Sequence, residues 1–280
     1  SLPDLILDGR KDAQPKGQAE FVKPPQDYLD AAYLAKLAAT GRDLAQRHKA
    51  TLARIEREIG VDRHPLLAIW GRETAFGNYK LPHDGIRVLA TQAWAGRRAE
   101  LFRSELVIAI KLLQDGMPRE AMRASWAGAM GLTQFLPSEI VEHGIDLDGD
   151  GKIDLANSVP DALASAARQL KAKGWVSGLP WGFEVKPASR DQCALEGPWQ
   201  ARTIADWTKL GFQRVDARPF PAQHAAVEAY LMQPAGAYGP AFLVTENYRA
   251  FRRYNMSDLY ATFVGNLADR IGGGGDFVAR

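Results

Sequence analysis

With 280 residues and 46% hydrophobic content, the chain can bury a substantial core as one large domain or one domain with an insertion. Its 35 basic and 33 acidic side chains nearly cancel, which excludes a global field that would recruit nucleic acid or an anionic membrane, so an acidic substrate has to be held by local charges. No run approaches the ~18 apolar residues that a bilayer span needs, and the start, SLPDLILDGRKDAQ, shows neither a signal-peptide apolar region nor a lipid-attachment Cys, as though the numbering began after a removed leader.

The first two dozen residues mix Pro, Gly, Lys and Asp without periodicity and read as an extended arm. From Asp27 the texture changes. Tyr28, Leu29, Ala32, Leu34, Leu37, Leu44, Leu52, Ile55 and Ile59 recur at helical spacing with Gly41 interrupting, which predicts one broken or two consecutive helices over 27–59, an outer layer. A Gly-Val-Asp-Arg-His link leads to Pro65, suited to the first turn of a helix that stops at Gly77. Further helices are predicted at about 86–95, 97–115, 118–124 and 158–173.

After Gly174 the chain becomes rich in Gly, Pro and aromatics with short alternating stretches, the pattern of a small β-containing insert that runs to about residue 240. A last helix, roughly 256–271, ends at the Gly272 to Gly275 run, with a frayed tail beyond. The reading is a mainly α protein in four stretches: 1–60, arm and helical layer; 61–175, a helical core; 176–240, the insert; 241–280, the return to the core. There is no internal repeat, and the chain reads as a monomer. The single cysteine, Cys193, excludes an internal disulfide and is expected to be a small buried filler.

In the helix that begins at Pro65, Leu66, Ile69, Trp70 and Glu73 fall at i, i+3, i+4 and i+7 and share one face. A carboxylate beside Trp and aliphatic chains loses solvation, which raises its pKa, as a general acid near neutral pH requires. Helical phase alone leaves open a Glu at the stripe's edge, reaching solvent or paired with Arg72.

The flanking residues say more. Gly71-Arg72-Glu73-Thr74-Ala75-Phe76-Gly77 resembles the Gly-x-Glu-Thr-x-aromatic-Gly signature of lytic murein transglycosylases of the membrane-bound B type, relatives of goose-type lysozyme. Ser125-Trp126-Ala127-Gly128-Ala129-Met130-Gly131-Leu132-Thr133-Gln134-Phe135-Leu136-Pro137-Ser138 is similar to the same family's Ser-x-Ala-Gly-Ala-Met-Gly-x-x-Gln-Phe-x-Pro-Ser block. Leu89-Ala90-Thr91, the run Arg97 to Phe102, and Arg253-Tyr254-Asn255-x-Ser257-x-x-Tyr260 also match, so the resemblance covers about 60–175 and 240–271. Ordered blocks at suitable separations are more specific than any one motif.

The resemblance implies a lysozyme-like helical core and a role for each matching residue. Glu73 is the single acid/base. Ser125 and Asn255 are polar partners for the substrate's N-acetyl group or an attacking hydroxyl. Met130, Gln134 and Tyr254 line the sugar groove, Arg97 and Arg98 face lactyl or peptide carboxylates, and Tyr260 supports the far wall. Read without the family, Ser125 is a helix cap, Met130 and Tyr254 are core, and the arginines a solvated face. Where some members carry Tyr, this chain has Leu132 and Gln169, so stacking on sugar faces is expected to be weaker there.

The implied reaction differs from that of ordinary glycosidases, which use two carboxylates. Glu73 protonates the oxygen between MurNAc and GlcNAc, then accepts the proton of the MurNAc C6 hydroxyl as it closes on C1, leaving a 1,6-anhydro end. The implied partner is peptidoglycan and the implied setting the Gram-negative periplasm, in soluble or peripherally attached form. A hydrolytic muramidase and a non-catalytic glycan-binding module are the alternatives.

Asp146-Leu147-Asp148-Gly149-Asp150-Gly151-Lys152-Ile153-Asp154 fits the start of an EF-hand loop, with acidic oxygens at positions one, three, five and nine, Gly151 at the turn and the Lys152 carbonyl at seven. Position twelve is Asn157 in place of the bidentate Glu, and the resemblance implies that Asp161 replaces it. So many carboxylates repel without a cation, so a structural Ca²⁺ is expected, although a solvated Asp/Gly turn has the same composition. A lone loop argues against a calcium-regulated interaction protein. His64, His83 and His143 show no zinc spacing.

Overall fold

A computed structural model describes residues 24–275 and Phe277; the arm predicted at the start lies outside them. Each of two compact units is assembled from discontinuous segments. The first takes His48–Ile59 and Ile69–Gln169, the second 24–47, Gly60–Ala68 and the described residues from Leu170 on.

In the second unit, helix α1 (Pro25–Tyr28) leads into α2 (Ala31–Arg47), which buries Leu34, Leu37, Ala38 and Gly41, a stripe at i, i+3, i+4 and i+7. Gly41 therefore does not interrupt the helix. The break falls instead at His48, and α3 (Lys49–Ile59), in the first unit, buries Leu52 and Ile55. Helix α4 (Arg63–Thr74) follows and stops three residues before the expected Gly77.

The first unit continues with strand β1 (His83–Asp84), α5 (Gly85–Ala95) and α6 (Ala99–Gln114). Asp84 caps α5 by accepting from the Arg87 backbone N–H, which fixes where that helix starts. The helix expected at 118–124 is a correction: Arg119–Met122 form a 3₁₀ turn, and Arg123–Ala124 form β2, antiparallel to β1. Two ladder residues claim the backbone groups that a helix would have used. Then come α7 (Pro137–His143) and α8 (Val159–Ala172). The buried Glu105 of α6 accepts from the Ser138 backbone N–H at 2.9 Å and its hydroxyl at 2.6 Å, a carboxylate set on the first turn of α7.

The second unit holds one antiparallel sheet, which runs past the bound at 240 expected for the β-containing insert. Strands β3 (Gly182–Lys186), β4 (Arg202–Thr203), β5 (Gln213–Arg214), β6 (Glu228–Met232) and β7 (Ala241–Val244) lie in the order β4-β6-β7-β3-β5. Val185, Leu231 and Leu243 pack with Ile204, Trp207 and Phe212 around α9 (Ile204–Lys209), and the Trp207 indole donates to the Ala229 carbonyl at 2.9 Å. Cys193 is exposed, a correction to the buried filler expected. It sits in the 3₁₀ turn Arg190–Leu195, which sends Leu195 toward the core and leaves Cys193 on another face.

Helices α10 (Glu246–Tyr254) and α11 (Asp258–Ile271) complete this unit. Nearly every residue of α11 from Tyr260 on is buried, so it is the unit's central rod. Tyr28 of α1 meets Phe263 edge-on at 5.6 Å, and Arg42 of α2 donates to the Arg270 carbonyl at 2.8 Å. A Cβ at Gly265 would come within 2.5 Å of the Trp181 ring, so glycine is what lets that indole lie on the rod.

One turn later the Trp181 Nε1–H donates to Asp269 at 2.9 Å. Asp269 lines a cleft, and desolvation by the surrounding protein pushes its carboxyl up from 3.8 to about 6 against the opposing effect of the indole donor. A folded-state value above the unfolded one means that the native state holds the proton more tightly. This contribution to stability is thus full below pH 3.8, is lost as pH rises to about 6, and is flat above. Asp269→Asn keeps an acceptor for the indole and does not titrate. Its melting temperature should gain on wild type between pH 4 and pH 6; thermal scans that show a constant difference across that window would remove Asp269 from the pH dependence.

Candidate active site

The helix α4 brings Glu73 up from an apolar face. Leu66, Ile69 and Trp70 are 0%, 0% and 3% exposed, and Glu73, one turn on from Trp70, is half-buried, so the stripe runs from the core to the carboxylate. Immediately afterwards the backbone turns left-handed at three successive residues, Ala75 (φ 48°), Phe76 (φ 59°) and Gly77 (φ 79°). Only the third has glycine's freedom, and each of the other two costs roughly 1–3 kcal/mol, which the surroundings must offset. The Phe76 ring folds back edge-on to Trp70, centroids 5.5 Å apart, over Gly71, where a Cβ would lie 2.7 Å from the ring. The Gly71 and Phe76 of the sequence motif are thus two halves of one contact.

Thr74 carries this turn into the next segment. Its hydroxyl donates to the Leu132 carbonyl at 2.8 Å and accepts from the Gly77 N–H at 3.2 Å, and the side chain is 2% exposed. Leu132 belongs to the loop that holds three predicted site residues. Ser125 donates its N–H to the Ala129 carbonyl at 2.8 Å, and Met130 and Phe135 exchange two backbone bonds of 2.8 Å each. Between them Gly131 (φ 74°) approaches Leu155 so closely that a Cβ would sit 2.7 Å from its carbonyl oxygen. Gln134 is left-handed too, at φ 60°, with its side-chain amide turned back on the Gly131 carbonyl at 3.1 Å.

Ser125 and Gln134 are half-buried, whereas Met130 is 1% exposed with its methyl against Gly85. Arg97 and Arg98 are exposed at the start of α6, the Arg98 guanidinium 5.6 Å over the Phe102 ring. In the second unit, Tyr254 ends α10, Asn255 is the residue after it, and Tyr260 sits 1% exposed in the first turn of α11. The two tyrosine rings are parallel, 6° apart in plane and 6.4 Å between centroids.

Sequence reasoning missed two supports. One is Thr74, whose hydroxyl at a helix end next to Glu73 was the available signal. The other is Gln169, 1% exposed, which donates to Glu139 at 2.6 Å, while the second Glu139 oxygen accepts from the Leu136 N–H at 3.0 Å. Gln169 is thus a buried clamp on the end of the loop.

In the acidic loop, oxygens of Asp146, Asp148 and Asp150 lie within 4.8 Å of one another. Gly149 and Gly151 are left-handed at φ 79° and 87°, and their N–H groups bond Asp146 at 2.7 and 2.8 Å. The Lys152 N–H donates to Asp150 at 2.9 Å. Asp161, 1% exposed, accepts from the Leu147 N–H at 2.9 Å and the Asp154 N–H at 3.0 Å, so it joins the two ends of the loop. The Asn157 amide donates to Asp154 at 2.9 Å.

Residues 6–269 match the Transglycosylase SLT domain, and the chain belongs to that family. It is 29% identical over 240 residues to the membrane-bound lytic murein transglycosylase B of Escherichia coli (strain K12), covering 80% of this chain and 61% of that protein. It therefore spans less than two thirds of that relative's length. Pseudomonas aeruginosa SltB3 in complex with NAG-NAM-pentapeptide superposes with a TM-score of 0.85 at 39% identity, over 94% of this chain and 72% of that one. The same protein in complex with NAG-anhNAM-pentapeptide gives 0.85 at 40% identity with the same coverage. Escherichia coli Slt35 in complex with calcium gives 0.74 at 25% identity, over 93% of this chain and 80% of that one. The mainly helical, lysozyme-like fold with a small sheet expected from the sequence is the fold observed.

Thr74→Val removes the donor and the acceptor together and strands the Leu132 carbonyl. It should lower stability by about 1–3 kcal/mol, with Thr74→Ser close to wild type; chemical denaturation that ranks Val with Ser would show that the hydroxyl does not hold this loop.

Proposed function

We propose that the chain is a lytic transglycosylase that cuts the β-1,4 bond between MurNAc and GlcNAc in peptidoglycan and leaves 1,6-anhydro-MurNAc ends, with Glu73 as its one acid/base. The observation that carries this is the half-buried Glu73 at the end of an otherwise buried stripe, in a chain of which 94% resembles SltB3. SltB3 binds both a NAG-NAM and a NAG-anhNAM glycopeptide, the substrate-like and product-like forms of such a reaction.

The Glu73 side chain, protonated, gives its proton to the bridging oxygen as the C1–O bond breaks. The same carboxylate then takes the C6 hydroxyl proton while that oxygen closes on C1, so the proton count balances without water. Ser125 and Asn255 orient the N-acetyl group or the hydroxyl, Gln134, Met130 and Tyr254 line the sugar path, Arg97 and Arg98 meet the acidic lactyl or peptide groups, and Tyr260 backs Tyr254. No helix among the described residues is long and apolar enough to cross a membrane; a periplasmic setting fits the substrate.

The acidic loop is proposed to hold a structural Ca²⁺. The donor set fits a hard cation: three convergent carboxylates, with the Lys152 carbonyl at the seventh position. Asp161 would support the site from its place across the loop ends. Slt35 carries calcium, which supports the reading.

Glu73→Gln should lower lysis of purified peptidoglycan by at least about a hundredfold with an unchanged melting curve. Mass spectrometry of wild-type products should show ends one water lighter than hydrolysis gives; products of hydrolytic mass would overturn the transglycosylase reading. For the loop, calcium should raise the melting temperature and EDTA reverse it, with the shift gone in Asp148→Ala. A chain indifferent to both reagents has no calcium staple.

A further inference from the structure

Helices α10 and α11 of the second unit are joined by Asn255, Met256 and Ser257 alone. Within this link the Ser257 N–H donates to the Asn255 carbonyl at 2.7 Å, Asn255 is extended at φ −140° and ψ 122°, and Met256 is 81% exposed. A link this short between helices has few conformations open to it, so the backbone of Asn255 follows from how the two helix ends are held together.

One carboxylate ties those ends. Asp258 is the first residue of α11, and its Oδ1 accepts from the Tyr248 hydroxyl at 3.0 Å and pairs with Arg252 Nε at 3.0 Å. The Tyr248 hydroxyl also lies 3.2 Å from the Asp258 carbonyl oxygen. Tyr248 and Arg252 are four residues apart on α10 and share one face, so Asp258 grips the last two turns of α10. Burial, and after it the Asp258 charge, holds the Tyr248 phenol well above its ordinary value, so it stays protonated and donates.

An acid is favoured at the start of any helix by the dipole there. That preference does not aim the side chain back at the preceding helix. The aim of Asp258 fixes the joint, and the rings on either side of it show a single angle: Tyr254, the last residue of α10, and Tyr260, in the first turn of α11, lie 6° from parallel with centroids 6.4 Å apart.

From this, and resting on the role proposed above for Asn255, we infer that Asp258 is a positioning residue for the glycan reaction. It touches no sugar and acts through Asn255, whose place it sets by tying α10 to α11.

A double-mutant cycle tests it, read as turnover of soluble NAG-NAM oligomers by the whole chain, with the product ends weighed by mass spectrometry. Asp258→Ala should lower kcat by about tenfold or more with a smaller change in KM, because a displaced orienting group costs rate before it costs binding. Asn255→Ala should lower kcat as well, and the double variant should be no slower than Asn255→Ala, since the first change acts through the second residue. Asp258→Asn keeps an oxygen for the Tyr248 hydroxyl and gives up the charge that pairs with Arg252. Its kcat should fall between those of Asp258→Ala and wild type, and it takes the place of Asp258→Ala in the cycle if the melting curve shows the alanine variant unfolded. Losses that add in the double variant, a loss wholly in KM, wild-type kcat in the Asp258 variants, or a fully active Asn255→Ala overturns the role of Asp258. A wild-type chain that releases no ends one water lighter overturns the proposed reaction itself, and that role with it.

Discussion

The arrangement around Glu73 depends on one hydroxyl. A helix that ends in three left-handed residues needs something outside itself to hold that ending, and the Thr74 hydroxyl, 2.8 Å from the Leu132 carbonyl, supplies it. The same oxygen takes the Gly77 N–H, so it satisfies the turn and the neighbouring loop together. Because that loop has its own left-handed positions at Gly131 and Gln134, the tie joins two segments that would each be poorly determined alone. Glu73 and the loop are then held to a single geometry, which is what the proposed reaction would need of them.

A second theme is how carboxylates are kept in place by neutral donors. Glu105 takes the N–H and hydroxyl of Ser138, Glu139 takes Gln169 and a backbone N–H, Asp161 takes two loop N–H groups, and Asp62 and Asp269 each take an indole. Such bonds orient a side chain without neutralising it. Where the carboxylate is buried in a loop or at a helix start, the effect is structural. The ion pairs of the surface, such as Arg103 with Glu100, do little by comparison, since solvent screens them.

The fold was legible in proportion to how local its causes are. Stripes such as Leu34 and Leu37, or Leu66, Ile69 and Trp70, follow from helical period alone and appear where the spacing put them. Gly41 was misread because a glycine in a helix can mark either a break or a close approach, and burial chooses between them. The two-residue strands at His83 and Arg123 were invisible, since pairing partners 39 to 41 residues apart leave no periodic signature. Cys193 went wrong for a related reason: in a 3₁₀ turn a shift of two residues changes the face, and a hydrophobic average does not specify which.

By itself the sequence determined the helical class, the β-rich insert, the carboxylate at the end of an apolar stripe and the acidic loop, because each is written in residues close together along the chain. Tertiary structure alone decided that Thr74 reaches Leu132, that Gln169 is a buried clamp, that Asp161 closes the acidic loop through its backbone, and that Asp62 and Asp269 share a cleft. These are meetings of groups 7 to more than 200 residues apart. Only the packing of the whole chain, where buried polar groups must find partners, selects which of the many possible meetings occurs.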